Sequence, residues 1–557
     1  MTAASTDPSP SSRGGFHRGA MIDRLETETF DVLVVGAGIT GAGVALDAAS
    51  RGLRVALVER DDFASGTSSK SSKLVHGGLR YLQQGEVALV YQALHERQRL
   101  RRNAPHLVKV LPFMIPVLTK DGVVSRKIAR ALGSAMWMYD LTGGWRIGKF
   151  HRRLRKDAAF RHLPTMPKER LASAYLYYDA TVDDARLVLT VARTAVEHGA
   201  VVVNRCAVAG LDKDASGHVA GATVEADGRR IAVRASTVVN ASGVWSDTIR
   251  TLDEGHDPDS IRPAKGVHLT VPWDKVRNDI AVVIPVPGDK RSLFVVPWGP
   301  KSDGTFEHTY IGTTDTDHGG SIDDPQCNGD DIDYVLRALN ASVTTGVTRS
   351  DITGVWAGLR PLVKSAASGR TADLSRRHKV NVTDSGVVSV TGGKLTTYRE
   401  MAEDTVDALL AHLGRKAVCR TRRLPLAGAE GFTEPADRGS VDGHLAGRFG
   451  TRATGVLALT GGDPSLGERL MPELPYLRAE VVYAVREEMA TTLDDVLTRR
   501  IPARLFHRDA ARAAAPAAAA LMATELGWDD AEAARQVADF IARCDAEEAA
   551  AVPLASA

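Results

Sequence analysis

The sequence predicts an α/β protein: a Rossmann-like dinucleotide-binding domain, an antiparallel β-rich domain inserted into it, and a helical C-terminal domain. Three observations carry that reading. The β-branched run Asp31–Val35 enters Gly36-Ala-Gly38-Ile39-Thr40-Gly41 and then a helical stretch. Residues 267–312 alternate apolar and polar in short runs separated by turns. Beyond about residue 420 the apolar period becomes helical.

At 557 residues the chain has room for three or four domains. Residues 1–25 are rich in Ser, Pro, Thr and Gly, without the charged start and apolar centre of a signal peptide, and are expected to be a disordered tail. Strand Asp31–Val35, helix Ala42–Ser50, a stop at Gly52 and strand Arg54–Glu59 complete a βαβ unit. Further buried strands are expected at Val201–Asn204, Thr237–Ala241 and Val387–Thr391. Amphipathic helices are expected at Glu86–Arg102, Asp183–His198 and Lys394–Leu413. The runs Val267–Val271, Ala281–Val286, Leu293–Pro297 and Tyr310–Thr313 read as an antiparallel sheet, and Arg478–Ala490 as a helix. The resulting domains are 26–110, 171–260 and 351–415 (dinucleotide-binding), 111–170 and 261–350 (substrate-binding), and 420–557 (helical). No internal repeat is visible.

Composition narrows the class. Lys+Arg 70 against Asp+Glu 68 argues against a nucleic-acid-coating protein, and 44% apolar content supplies a real core. The four cysteines, Cys206, Cys327, Cys419 and Cys544, form no CxxC pair, so no metal or redox-dithiol site is expected and the pattern is that of a reduced, cytoplasmic chain. No apolar run reaches the roughly 20 residues that span a bilayer.

Each part of the glycine fingerprint has a mechanical task. Gly36 permits the tight turn, Gly38 admits a pyrophosphate to the backbone, and Gly41 lets helix and strand pack closely. The helix N-terminus offers unpaired N–H groups to an anion. Glu59, at the end of the next strand, is placed to accept hydrogen bonds from ribose hydroxyls, with Arg60 beside it. These features do not separate NAD from FAD; three others favour FAD. The segment Gly66–Gly78 is dense in hydroxyls and small residues: Thr67, Ser68, Ser69, Ser72, Lys73, Leu74, His76, Gly77. Strand Val238–Asn240 ends in the small turn Ala241-Ser242-Gly243. Val390-Thr-Gly392-Gly393-Lys394-Leu395-Thr396 leads a strand into a helix whose positive end suits a reduced, anionic isoalloxazine. No second GxGxxG is present, so electrons are expected to come from an organic substrate.

With these blocks in view, the chain resembles the FAD-dependent, respiratory glycerol-3-phosphate dehydrogenases. The likeness rests on Gly36–Gly41, Thr67–Leu82, Asp183–Leu187, Gly312–Asp315, Gly358–Leu362 and Gly392–Tyr398, and continues through Tyr483–Glu487 and Leu493–Arg500. It implies an amino-acid-oxidase-like flavoprotein fold, oxidation of sn-glycerol 3-phosphate to dihydroxyacetone phosphate, and transfer of electrons from FAD to a quinone. It also implies a substrate site at Arg80, Tyr81, Thr313, Arg360, Arg376 and Lys394, with Arg377 able to replace Arg376.

A phosphate dianion calls for several fixed cations, each charge-assisted bond contributing roughly 1.5–3 kcal/mol. Removing the proton of an alcohol calls for a base, for which His268 is the first candidate; Arg360 or Lys394 are the candidates for polarising the hydroxyl. The segment Lys120–Lys156 carries ten Lys/Arg against Asp121 and Asp140, interleaved with Met136-Trp-Met-Tyr139, Leu141 and Trp145. That mixture suits peripheral contact with an anionic membrane, here the inner face of the cell membrane, and equally a solvated basic rim. A glycerol-3-phosphate oxidase using O2, an amine or amino-acid oxidase, and a non-enzymatic FAD-binding regulator are the rival readings. A homodimer stays open, and no nucleic-acid partner is expected.

Overall fold

Strand Val32–Val35 is apolar at every position because both faces of its sheet are covered; all four residues are buried. The computed structural model, which describes residues 16–79, 81, 86–119, 126–289, 291–364 and 377–552, places it inside a six-stranded sheet. The order is Lys379–Val382, Val388–Thr391, Val238–Asn240, Val32–Val35, Val55–Val58, Val201–Val203. All neighbours are parallel except the edge pair 379–382 and 388–391. Helices Ile39–Ser50, Asp184–Glu197 and Tyr398–His412 pack against it, and their apolar faces share one core with the strands. A small four-stranded sheet, in the order Thr29–Phe30, Arg229–Ala235, Val219–Ala226, Cys206–Lys213, lies at one end.

The second layer is a ten-stranded, mostly antiparallel sheet, built around Ile261–Pro272, Ala281–Pro285, Ser292–Pro300 and Phe306–Gly312 as the alternation predicts. Its extent corrects two domain boundaries. Leu171–Thr181 and Gly354–Val363, assigned from sequence to the dinucleotide-binding part, belong to this sheet, the first paired with Lys109–Leu118 and the second with Ile261–Pro272. The expected disordered tail is also corrected from Phe16 onward. Arg18–Thr27 is a helix whose Met21, Ile22 and Leu25 point inward, the i, i+1, i+4 spacing of one apolar face.

The C-terminal part is helical, ending in Arg508–Leu526 and Asp530–Ala550. It is keyed into the first domain by charge. Asp62, fully buried, accepts from Arg499 Nε at 2.6 Å, Arg500 Nη1 and Nη2 at 2.6 and 2.8 Å, and Asn204 Nδ2 at 3.0 Å. These guanidinium groups hold the Asp62 carboxyl far below the usual carboxylate range, against the opposing effect of burial. Removing one partner of such a buried pair strands a charge and costs about 3–5 kcal/mol.

Candidate active site

Two adjoining cavities run along the ligand edge of the six-stranded sheet. The first, about 220 Å³, is lined by Gly36, Gly38, Ile39, Thr40, Glu59, Arg60, Thr67, Ser68, Ala241, Ser242, Gly243 and the turn Gly392-Gly393. Gly36, at φ +99°, lies so close to the next turn that a Cβ would sit 2.9 Å from Ala241 O. A Cβ on Gly41 would lie 1.8 Å from Gly36 O, so this glycine is needed for helix and strand to meet, and it does not line the cavity. Gly38 at the helix N-cap brings no side chain, leaving the first helical turn open to a ligand; Ile39 N–H donates to Ser68 Oγ at 3.0 Å. Glu59 accepts from Ala37 N–H at 2.7 Å and Asp61 N–H at 3.0 Å, which leaves each oxygen a second lone pair for a hydroxyl. Burial pushes its carboxyl up to about 7 against these bonds. Backbone donors at a helix start, a half-buried carboxylate and an elongated cleft fit an adenosine pyrophosphate.

The second cavity, about 410 Å³, begins where the first ends, sharing Thr67, Pro361, Gly393, Lys394 and Leu395 with it. Its walls include Ser72, Leu74, His76, Gly78, Tyr81, Thr396, Phe294 and Tyr177, together with Thr313, Asp315, His268 and Arg360. The register of the large sheet gathers the last four: His268 pairs with Gly312 on one side and Trp356 on the other. Arg360 lies within a strand, not at its end, opposite Ala264. It donates to Asp315 Oδ1 at 3.1 Å, Thr313 Oγ1 at 3.1 Å and Thr314 O at 3.2 Å. Gly266 makes room for this fork: a Cβ there would meet Arg360 Nη2 and Thr313 Oγ1 at 2.6 Å.

His268 is 2% exposed, stacked on Trp356 at a centroid distance of 4.8 Å, with Nε2 2.9 Å from Ser72 Oγ. Its Nδ1 has no hydrogen-bond partner among the described residues. Burial first, then the charges of Arg360 and Lys73, hold this imidazole well below its ordinary value and keep it neutral at physiological pH. The Lys394 ammonium stands 3.6 Å from the centre of the Tyr81 ring. The loop carrying His76 and Gly77 is fixed from two sides. Thr396 Oγ1 bridges His76 N–H and O, while Gly77 N–H meets Asp179 Oδ1 and Tyr139 Oη at 3.2 Å.

Several expected residues sit elsewhere. Lys73 and Ser69 do not reach either cavity: the Lys73 ammonium is buried against Asp184 at 2.6 Å and bonds Ser69 O, so both brace the loop from behind. Gly77 is likewise behind the cavity wall. Arg80 and Arg376 lie outside the described residues, and Arg377 pairs with Glu86 at 3.0 Å. Two further cations line the second cavity beyond those expected from sequence: Lys70, and Arg291, whose Nη1 donates to Asp315 O at 2.9 Å. Arg291 adjoins a predicted strand start, but nothing in its local pattern marks it as facing a cavity.

Near this cavity, helix Arg126–Leu141 buries Met136 and Tyr139 and exposes Trp137, Met138 and Leu141; Trp145 and Phe150 are exposed beyond it. Lys120 and the side chains of Arg126, Lys127 and Arg130 lie outside what is described. No helix among the described residues is long and apolar enough to cross a membrane.

Comparison with known proteins agrees with this architecture. A family model for FAD-dependent oxidoreductases matches residues 31–399, and one for the C-terminal domain of alpha-glycerophosphate oxidase matches 419–533. The chain is 40% identical to glycerol-3-phosphate dehydrogenase 2 of Mycobacterium tuberculosis over 548 residues, covering 96% of this chain and 91% of that one. It is 36% identical to the mitochondrial glycerol-3-phosphate dehydrogenase of Homo sapiens, covering 95% and 75%. Among solved structures, glycerol-3-phosphate dehydrogenase from Bacillus halodurans complexed with FAD matches at TM-score 0.75 and 30% identity, covering 97% of this chain and 98% of that one.

Proposed function

The chain belongs to the FAD-dependent glycerol-3-phosphate dehydrogenase family, and on that premise we propose that it oxidises sn-glycerol 3-phosphate to dihydroxyacetone phosphate and delivers the electrons to a membrane quinone. The observation that carries the substrate assignment is the charge of the second cavity. Among the described residues, Lys70, Arg291, Arg360 and Lys394 line it with one lining carboxylate, Asp315, while Asp289 braces Arg291 at 2.6 Å and Asp324 stands 3.9 Å from Lys70. Such a cation-rich wall suits an anionic phosphomonoester better than a zwitterionic amino acid.

FAD, when bound, supplies the acceptor for the hydride that leaves the carbinol carbon. Arg360, held in its fork by Asp315 and Thr313, binds the phosphate with Arg291 and fixes the substrate's orientation. His268, kept neutral, accepts the hydroxyl proton at Nε2, with the Ser72 hydroxyl in the same hydrogen-bonded line. Lys394 draws negative charge toward the ring end of the cleft. Anaerobic addition of glycerol 3-phosphate is the test: the oxidised-flavin absorbance should bleach, and an unbleached flavin refutes the assignment.

The quinone reading is supported by the exposed apolar surface of Trp137, Met138, Leu141, Trp145 and Phe150, with Arg146 and Lys149 among them. Such a surface fits peripheral attachment to the inner face of the cell membrane, where a lipid-soluble acceptor is concentrated. Wild-type protein should sediment with anionic vesicles and a Trp137→Glu/Leu141→Glu variant should not. Stoichiometric peroxide from O2, with no reduction of a quinone analogue, refutes the acceptor.

A further inference from the structure

A strap from the substrate-binding domain crosses to the dinucleotide-binding domain. It leaves the edge strand Thr316–Asp317 and ends at helix Gly329–Asn340. Its ends are pinned within its own domain: Asp317 to Arg262 at 2.6 Å, and Gln326 O to Lys265 Nζ at 3.2 Å, with Lys265 paired to Asp331 at 2.6 Å. Its middle reaches the other domain. Asp323 Oδ1 accepts from Arg60 Nη2 at 2.9 Å and from Trp245 Nε1 at 2.8 Å. The Arg60 guanidinium lies over the Trp245 ring, 5.0 Å from its centre, and also pairs with Asp61 at 3.1 Å. Arg60 follows strand Val55–Val58 and Trp245 follows Val238–Asn240, and both line the cleft beside Glu59. The neighbouring Asp324 stands 3.9 Å from Lys70 Nζ.

We propose that residues 318–326 form a clasp over the adenosine end of the FAD cleft, with Asp323 as the latch that slows FAD release. Asp323 is a positioning residue: it is not among the residues lining the cleft, and it acts by giving two cleft-wall side chains a common acceptor. An isolated, exposed ion pair would contribute little and would fade with salt. Here two donors from separate turns converge on one oxygen, and the neutral indole donor is insensitive to screening. A clasp anchored on one domain and closed on the other explains why a strap with no part in the sheet crosses between them.

The inference rests on FAD occupying this cleft; protein purified without flavin counts against that premise, whereas the latch is tested on flavin-loaded protein. Release is followed as the rise in free-flavin fluorescence after dilution. Asp323→Ala, at an exposed position that leaves the fold intact, should release FAD about five- to tenfold faster than wild type. The KM for glycerol 3-phosphate at saturating FAD should be unchanged. Asp323→Asn, which keeps the acceptor for Trp245 and loses the ion pair, should fall between the two. A double Asp323→Ala/Trp245→Phe variant should release FAD more slowly than the product of the single effects requires, because both act through one contact. Release from Asp323→Ala within about twofold of wild type, or full multiplicativity in the double variant, overturns the proposal.

Discussion

Glu59 makes the affinity for FAD depend on pH. In the free cleft burial raises its carboxyl from an ordinary 4.5 to about 7. The ribose hydroxyls of the adenosine end donate to the ionised form and favour it, so FAD binding expels a proton from Glu59 wherever that group is still protonated. With the free value at about 7, roughly one molecule in eleven is ionised at pH 6 and ten in eleven at pH 8. The affinity should therefore rise about tenfold, or about 1.4 kcal/mol, between pH 6 and pH 8. No histidine lines this part of the cleft among the described residues, so no other side chain with an ordinary value in that range competes for the signal. The sign for the unliganded fold is opposite: a folded value above the unfolded one means stability falls as pH rises from about 4.5 to 7. Titrating apoprotein with FAD at several pH values, with flavin fluorescence as the readout, measures the slope. Glu59→Gln should bind FAD with no pH dependence over the same range. A wild-type slope equal to that of Glu59→Gln refutes the reasoning.

Three further outcomes follow from the geometry. Gly312→Ala would place a Cβ 2.2 Å from His268 Cδ2 while Trp356 blocks the ring's retreat; about 1–3 kcal/mol of overpacking should displace the imidazole. Its turnover should fall with FAD content unchanged, as steady-state kinetics and the flavin spectrum report. Arg360→Ala should lower kcat/KM for glycerol 3-phosphate by about 10- to 150-fold, the equivalent of one charge-assisted bond, with wild-type FAD binding; an unchanged kcat/KM would place the phosphate elsewhere. Tyr139→Phe removes a buried hydroxyl that Asp179 accepts at 2.7–2.8 Å; denaturant unfolding should show a loss of about 1–2 kcal/mol, because Arg97 and Gly77 N–H still satisfy the carboxylate.

The parts of the fold legible in the sequence are those whose pattern is local. The βαβ unit, the parallel strands at 201–203, 238–240 and 388–391, and the alternating runs of the substrate sheet all lie where periodicity puts them. Strand Lys109–Leu118 is not legible locally, since Pro112 and Pro116 are unfavourable in a central strand. The structure admits them because its second neighbour, Ala281–Pro285, pairs only with Phe113 and Met114. The helix at 18–27 showed its apolar face in Met21, Ile22 and Leu25, obscured by the polar, proline-containing run before it. In the site, the glycine positions follow from backbone geometry alone. The convergence of His268, Thr313, Arg360 and Arg291 does not, since it depends on strand register across a sheet assembled from distant segments. Lys73 misled for a related reason: its segment lines the cavity, but its side chain turns inward to Asp184.

The order of strands in the six-stranded sheet has a consequence for how the protein is made. Val32–Val35 leaves the ribosome early, and Val55–Val58 soon after, but its other neighbour, Val238–Asn240, is translated some two hundred residues later, and that strand's own neighbour, Val388–Thr391, later still. Contacts of such sequence separation form slowly, and until they form an apolar strand edge stays open. The turn Gly392-Gly393, whose second glycine lines both cavities, is translated after every strand of this sheet. Nascent chains shorter than this lack the ring end of the cleft, so a complete flavin cleft exists only once this turn has been made, with the C-terminal helical part still to follow. A chain that stops before Val388 leaves the apolar strand Val238–Asn240 without one of its two neighbours.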